Sequence, residues 1–399
     1  MKRVACFCIP AHGHTNPMLP VAAALVRRGN AVRFWSFDAF EERIRATGAE
    51  YVSCDRFLCD LTRREEAGLK RVSVTEMTLQ DIRITLSMDG FLEEEFRAFR
   101  PDVVFTDSVC FWGKLNAIKH GVPMVVSTST FAFNRLSARY LRHSPGETAD
   151  LILGLPRVIR AMKALGSKGY PVSNPLALIA SDNDTDTVVY TSRGFQPYGE
   201  SFSDRYAFVG PSVFSRAVPD KGGGRPLVYI ALGTVINDRP DFYRNCIAAL
   251  GDLEVDGLIV CGNAVDPQAL EPLPENVRVL PRVDQPEVLS RVDAFITHCG
   301  MNSVSESLYM AAPMVLYPQT GEQKAVARRV AEVGAGLLLE DDSVDGIRRA
   351  VKRVLGEPAF ARAAAACSRE LRACPGPEGA AAFIEGAPHA SAGEAPSRP

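Results

Sequence analysis

The sequence predicts an α/β protein made of two doubly wound, Rossmann-like domains that face each other across a cleft. Short apolar runs alternate with helical patterns through both halves, the signature of parallel strands joined by crossover helices. The 399 residues exceed one ordinary core and suit two. A stretch at residues 210–225, with Pro211, Pro219 and glycines at Gly222, Gly223 and Gly224, separates the halves. The expected domains are residues 1–212 and 225–385, with a disordered Ala-, Gly-, Pro- and Ser-rich tail at 386–399.

The first buried strand reads at residues 4–9. A helix follows, with Asn16 as its N-cap, Pro17 at its first position and Gly29 at its end. Leu19, Ala22, Ala23 and Val26 give it an apolar face. Further strands read at 31–36, 102–106, 123–127 and 187–191. Residues 55–100 and 131–180 fit no simple strand–helix unit and read as helical or irregular additions to the first domain. The second half is more regular, with strands at 227–232, 257–260, 277–280, 294–297, 314–317 and 336–339.

A formal charge of -2 gives no basic footprint for nucleic acid. No run approaches the ~18–20 apolar residues of a membrane span. The N-terminal apolar run is too short for a signal peptide and is broken by Pro10, His12, Gly13 and His14. The ten cysteines are scattered without a C-x-x-C pair, which argues against a zinc site and for free thiols in a reducing cytoplasm.

In open parallel sheets, ligands bind beyond the carboxyl ends of strands, so the loops that follow strands hold the chemistry. The strongest such signal is THCGMNSVSE, residues 297–306. Gly300 allows a sharp turn and close approach of a ligand, and the helix that follows presents free N–H groups to an anion. His298, Asn302 and Ser303 add donors, and Glu306 lies one turn deeper on the face of Asn302. The same residues also suit a capped helix with a polar first turn, and spacing alone favours neither. Gly233 and Thr234 follow the first strand of that domain. PQTGEQ, residues 318–323, offers a carboxylate and an amide at Glu322 and Gln323 for sugar hydroxyls, or forms an ordinary polar loop.

The combination of AHGHTNP near residue 14, HCGMNSVSES near 300 and PQTGEQ near 320 resembles the bacterial macrolide-type glycosyltransferases of the UDP-glycosyltransferase family. YTSRGFQPYGE from Tyr190 and the following FVGP resemble the same branch. The resemblance implies the two-domain GT-B fold, an inverting reaction and a donor held mainly by the C-terminal domain. It makes His14 the catalytic base and Asp107 its acidic partner. It assigns His298, Asn302 and Ser303 to the diphosphate, beside Gly300 and the loop of Gly233 and Thr234, whose place at a strand end marks it as a second phosphate loop. Glu306 takes the ribose, and Glu322 and Gln323 read the donor sugar. The family's common Trp over the nucleobase is missing from the PRVDQ stretch, which places Arg282 and Val283 there, and the planar Arg282 is suited to stack instead. Glu322 stands where many relatives carry Asp.

The chemistry fits these residues. An acceptor hydroxyl must lose its proton as it attacks the anomeric carbon, and a neutral imidazole accepts it near pH 7. His14 is expected just ahead of a helix N-terminus, whose potential disfavours the imidazolium. Asp107 would fix the tautomer and stabilise the cation. His12 is expected to take no part. On the leaving side, a helix N-terminus with His298 and Ser303 can carry the diphosphate charge without metal. The D-x-D-like string Asp182-Asn183-Asp184-Thr185-Asp186 precedes a strand and reads as a solvated turn, not a metal site.

Acceptor contacts are expected from the first domain's apolar additions, at Met77, Ile82, Phe91, Phe131 and Phe133, with most such residues serving as packing. The expected reaction moves glucose from UDP-glucose to a hydroxyl of a small hydrophobic natural product. No resident cofactor or metal is expected, and the expected state is a monomer or homodimer. A TDP-deoxysugar transferase is the alternative, and a non-catalytic nucleotide-sugar-binding auxiliary protein a more distant one. A dinucleotide-dependent dehydrogenase is disfavoured, because AHGHTNP replaces G-x-G-x-x-G after the first strand.

Overall fold

The computed structural model describes residues 1–58, 74–140, 145–171, 185–212, 224–234 and 236–387. Its first sheet has seven parallel strands: β1 (Arg3–Phe7), β2 (Ala31–Ser36), β3 (Glu50–Ser53), β4 (Val103–Asp107), β5 (Met124–Thr128), β6 (Asp186–Val189) and β7 (Tyr206–Phe208). Their spatial order is β3-β2-β1-β4-β5-β6-β7. The second sheet has six parallel strands: β8 (Leu227–Ala231), β9 (Asp256–Val260), β10 (Val277–Leu280), β11 (Ala294–Thr297), β12 (Met314–Leu316) and β13 (Gly336–Leu338). It runs β10-β9-β8-β11-β12-β13. Both sheets reverse their winding between the first and fourth strands, at β1/β4 and β8/β11, and each reversal leaves a crevice beyond the strand ends.

The predicted core strands are all present. Two short edge strands, β3 and β7, add to them. β3 mixes polarity and β7 has only three residues, so neither shows the apolar run that marks a buried parallel strand.

The first helix spans His12–Arg27, with Ala11 as its N-cap, so Pro17 and Pro20 lie inside it. This corrects the expected start at Asn16. The Asn16 side chain instead accepts a 2.7 Å hydrogen bond from Arg43. Gly29, at φ 85°, ends the helix as expected.

In the first domain's additions, helix Val74–Phe99 packs against helix Pro145–Ser167. Leu79, Ile82, Phe111, Leu115, Val158, Met162, Leu165 and Tyr170 form a separate apolar cluster there. Gly154 sits so close to Thr75 that a side chain would collide with it.

The chain does not finish in the second domain. Helix Gly376–Gly386 returns to the first and lies on helix His12–Arg27. Ala380, Ala381 and Ile384 enter the first domain's core beside β1 and β2. The return lies against the forward connection: Gly376 N–H donates to Val209 C=O at 2.9 Å, and Gly210 packs on Cys374. The ion pairs Arg27–Glu378 and Arg28–Glu385 rim the contact. Such exposed pairs contribute little, so apolar burial holds the helix.

Nine described cysteines are free, and Cys59 lies outside the described residues. So do Asp182, Asn183 and Asp184 and most of the tail. Asp186 accepts a 2.8 Å bond from Arg205. No described helix is long and apolar enough to cross a membrane.

Both tryptophans, Trp35 and Trp112, are buried in the first domain, so their fluorescence reports that domain alone. Ile384→Ala is expected to destabilise that domain by about 2–5 kcal/mol. The check is the urea midpoint of the tryptophan signal, and an unmoved midpoint would mean that the returning helix is not part of that core.

Candidate active site

The crevice at β1/β4 brings His14 and Asp107 together. Asp107 ends β4 and is fully buried, and its Oδ2 lies 2.8 Å from His14 Nδ1. Its Oδ1 accepts the Val109 N–H at 3.0 Å. Ser129, just past β5, places its hydroxyl 3.1 Å from the same Nδ1. An ionised carboxylate only accepts, so Nδ1 carries the proton and the lone pair of the neutral ring sits on Nε2. The His14 side chain keeps 29% of its surface exposed, toward the cleft.

His14 lies in the first turn of its helix, not ahead of it, and its pKa is raised, not lowered. Burial opposes the charged ring. Asp107's charge and hydrogen bond, joined by the charges of Glu322 and Asp81, outweigh burial. Glu322 belongs to the second domain and Asp81 to helix Val74–Phe99, so the negative charges acting on the imidazole come from both domains.

The crevice at β8/β11 is built on His298. A Cβ added to Gly233 would come within 2.7 Å of the His298 ring, and one added to Gly300 within 2.5 Å. Glycine is needed at 300 for this closeness rather than for a turn, because Gly300 has φ −62°. The left-handed residue is Cys299, at φ 67°. Burial pushes the His298 pKa down to about 4, so the ring is neutral at pH 7. Its Nδ1 is buried without a partner. The positive potential therefore comes from the helix itself. Helix Met301–Tyr309 begins at Gly300 with no side-chain cap, which leaves its first N–H groups available to an anion.

One turn deeper, burial pushes the Glu306 pKa up to about 7. Gln285 organises this corner. Its Nε2 donates to Glu306 Oε2 at 2.7 Å and to Ser303 Oγ at 3.1 Å, while its Oε1 accepts from Tyr229 at 3.2 Å. Asn302 Nδ2 donates across the cleft to the Gly13 carbonyl at 2.8 Å. Gln323 is partly committed: its Oε1 accepts from Gln319 and Thr320 backbone N–H groups in a capping box, which leaves its amide N–H groups. Thr234 and Arg282 are exposed and Val283 is half-buried. Arg282 reaches toward the first domain, where its charge, after burial and that of Arg43, lowers the His12 pKa.

The acceptor-side residues divide. Met77 is exposed, while Phe91 is half-buried against Phe57 and Arg56. Phe133 flanks the interdomain cluster. Ile82 and Phe131 are corrections. Ile82 is fully enclosed between helices, and Phe131 packs with Tyr140 and Phe195 against the second domain. Both spend their apolar surface on packing.

Sequence reasoning missed Ser129 and Gln285. Ser129 stands in a run of serines and threonines that carries no pattern. Gln285 lies in the stretch compared with relatives, but only its contacts give it a role.

These two crevices define a GT-B protein with an imidazole–carboxylate pair opposite an uncapped helix N-terminus. Comparison with known proteins agrees. Residues 244–385 match the family model for the erythromycin biosynthesis protein CIII-like C-terminal domain. The NDP-glycosyltransferase YjiC of Bacillus licheniformis is 34% identical over 96% of this chain and 97% of its own. Demethyllactenocin mycarosyltransferase of Streptomyces fradiae is also 34% identical, over 97% of this chain and 86% of its own. The crystal structure of the calicheamicin glycosyltransferase CalG4 superposes with a TM-score of 0.80 at 26% identity, covering 96% and 98% of the two chains. The chain belongs to the bacterial branch of the UDP-glycosyltransferase family and is a glycosyltransferase.

If Glu306 accepts hydrogen bonds from a ribose, it must be ionised. Its raised pKa places that ionisation near neutrality. The ratio of UDP affinity between the wild type and Glu306→Gln should therefore grow from pH 6 to pH 8. Calorimetric titration checks this, and comparing the two proteins cancels the ionisation of the nucleotide.

Proposed function

We propose that this enzyme transfers a sugar from a nucleoside diphosphate to a hydroxyl of a small hydrophobic natural product, with inversion and without a metal. The observation that carries the reading is the 2.8 Å His14–Asp107 contact facing the uncapped N-terminus of helix Met301–Tyr309. His14 Nε2 takes the acceptor's proton while the acceptor oxygen bonds to the anomeric carbon. The bond from that carbon to the diphosphate oxygen breaks on the opposite face. Asp107 stabilises the imidazolium, and the helix N–H groups with Ser303 receive the developing negative charge. Glu322 and the free amide of Gln323 are suited to the sugar hydroxyls, and Glu306 to the ribose. An α-linked donor gives a β-glycoside.

UDP-glucose is the first donor to test. TDP-deoxysugars are the second reading, favoured by the likeness to a mycarosyltransferase. Met77, Phe91 and Phe133 remain the candidates for acceptor contact, which suits a flat, apolar aglycone such as a polyketide, macrolide or flavonoid.

The test is product formation from UDP-glucose and from TDP-sugars with a panel of phenolic and macrolide acceptors. The anomeric configuration of any product is read by NMR. His14→Ala should lower kcat by about 10²–10⁴ with nucleotide affinity retained. Because the folded pKa of His14 is raised, the limb where kcat/KM climbs with pH should lie above the ordinary histidine value of about 6.5. Asp107→Asn should move that limb down while slowing turnover. A His14→Ala enzyme with wild-type turnover would remove this histidine from the chemistry.

A further inference from the structure

We propose that Asn302 is a positioning residue: it sets the turn that carries His14 against the donor-binding helix of the other domain. The inference rests on His14 being the base. In an α-helix each carbonyl accepts from the N–H four residues on. For Gly13 that residue is Pro17, which has no N–H. The proline that looks like a helix start thus sits within the helix and frees one carbonyl from the ladder. Asn302 Nδ2 takes that carbonyl at 2.8 Å. The bond lands one residue before His14 and starts in the first turn of the helix assigned to the diphosphate.

The imidazole is then fixed from two sides. Asp107 and Ser129 hold its Nδ1 from within the first domain. Asn302 holds its backbone from the second. One amide–carbonyl bond is a weak tie beside the buried interdomain cluster around Phe131, Tyr140, Phe195 and Met301. It therefore acts by placement rather than adhesion. Placement matters because the base, the acceptor and the anomeric carbon come from different domains, and a shift of about 1 Å can cost on the order of 10²-fold in rate. The amide carries a second N–H, so a phosphate contact would be a separate role, added to the bond to Gly13.

The two roles separate kinetically. In Asn302→Ala, positioning predicts kcat at saturating donor reduced at least tenfold, whatever the change in UDP affinity, with the pH limb of His14 unmoved. Asn302→Asp keeps the shape but sets an acceptor against an acceptor, and should be at least as slow. Unfolding midpoints monitor folding of both variants. Weakened UDP binding with unchanged kcat would make Asn302 a phosphate ligand and overturn the proposal, as would wild-type kcat with wild-type binding. His14→Ala is measured in parallel. If it abolishes turnover while Asn302→Ala does not slow it, only the positioning role fails. If His14→Ala is itself active, the base assignment fails first.

Discussion

The bond between the buried carboxylate of Asp107 and Nδ1 of His14 is the constraint on which the functional geometry depends. A carboxylate that is fully enclosed is costly unless its lone pairs are satisfied. Here the Val109 amide and the imidazole satisfy them. The same bond fixes the tautomer of the ring and leaves Nε2 as the basic atom. The ring cannot be moved without uncovering the charge beneath it, so structural necessity and catalytic orientation coincide. Asp107 also raises the basicity of the ring against the opposing effect of burial.

The two domains use one architectural device twice. In each sheet the loops after the first and fourth strands meet where the winding reverses. In the first, they bring together His14 and Asp107; in the second, Gly233 and His298. The outcomes differ because the side chains differ. The first pair couples a base to a charge. The second clears space, with glycines flanking a neutral ring, so that the helix N-terminus can meet an anion with little in its way.

Most of the core was legible from sequence because buried parallel strands are continuous apolar runs bounded by turn residues. The edge strands β3 and β7 were not, since they bury too little to leave that trace. Asn16-Pro17 reads as a helix start by local rules, yet the helix begins at His12, because packing of the following turns outweighs the hydrogen bonds that Pro17 and Pro20 remove. The segment from Gly376 reads as the end of the second domain, because its composition does not reveal that the groove for it lies on the other domain. Within the site, His14 and Asp107 were legible through motif resemblance. Ser129 and Gln285 act through partners far away in the chain. Ile82 and Phe131 look like ligand-facing apolar residues until the helices and domains that enclose them are in place.

The returning C-terminal helix has a mechanical consequence. The polypeptide passes between the domains twice, and the two passages touch at Val209–Gly376 and Gly210–Cys374. Two straps fastened at one spot restrain sliding and twisting of one domain on the other, so the chain path itself helps to keep the two facing crevices in lateral register.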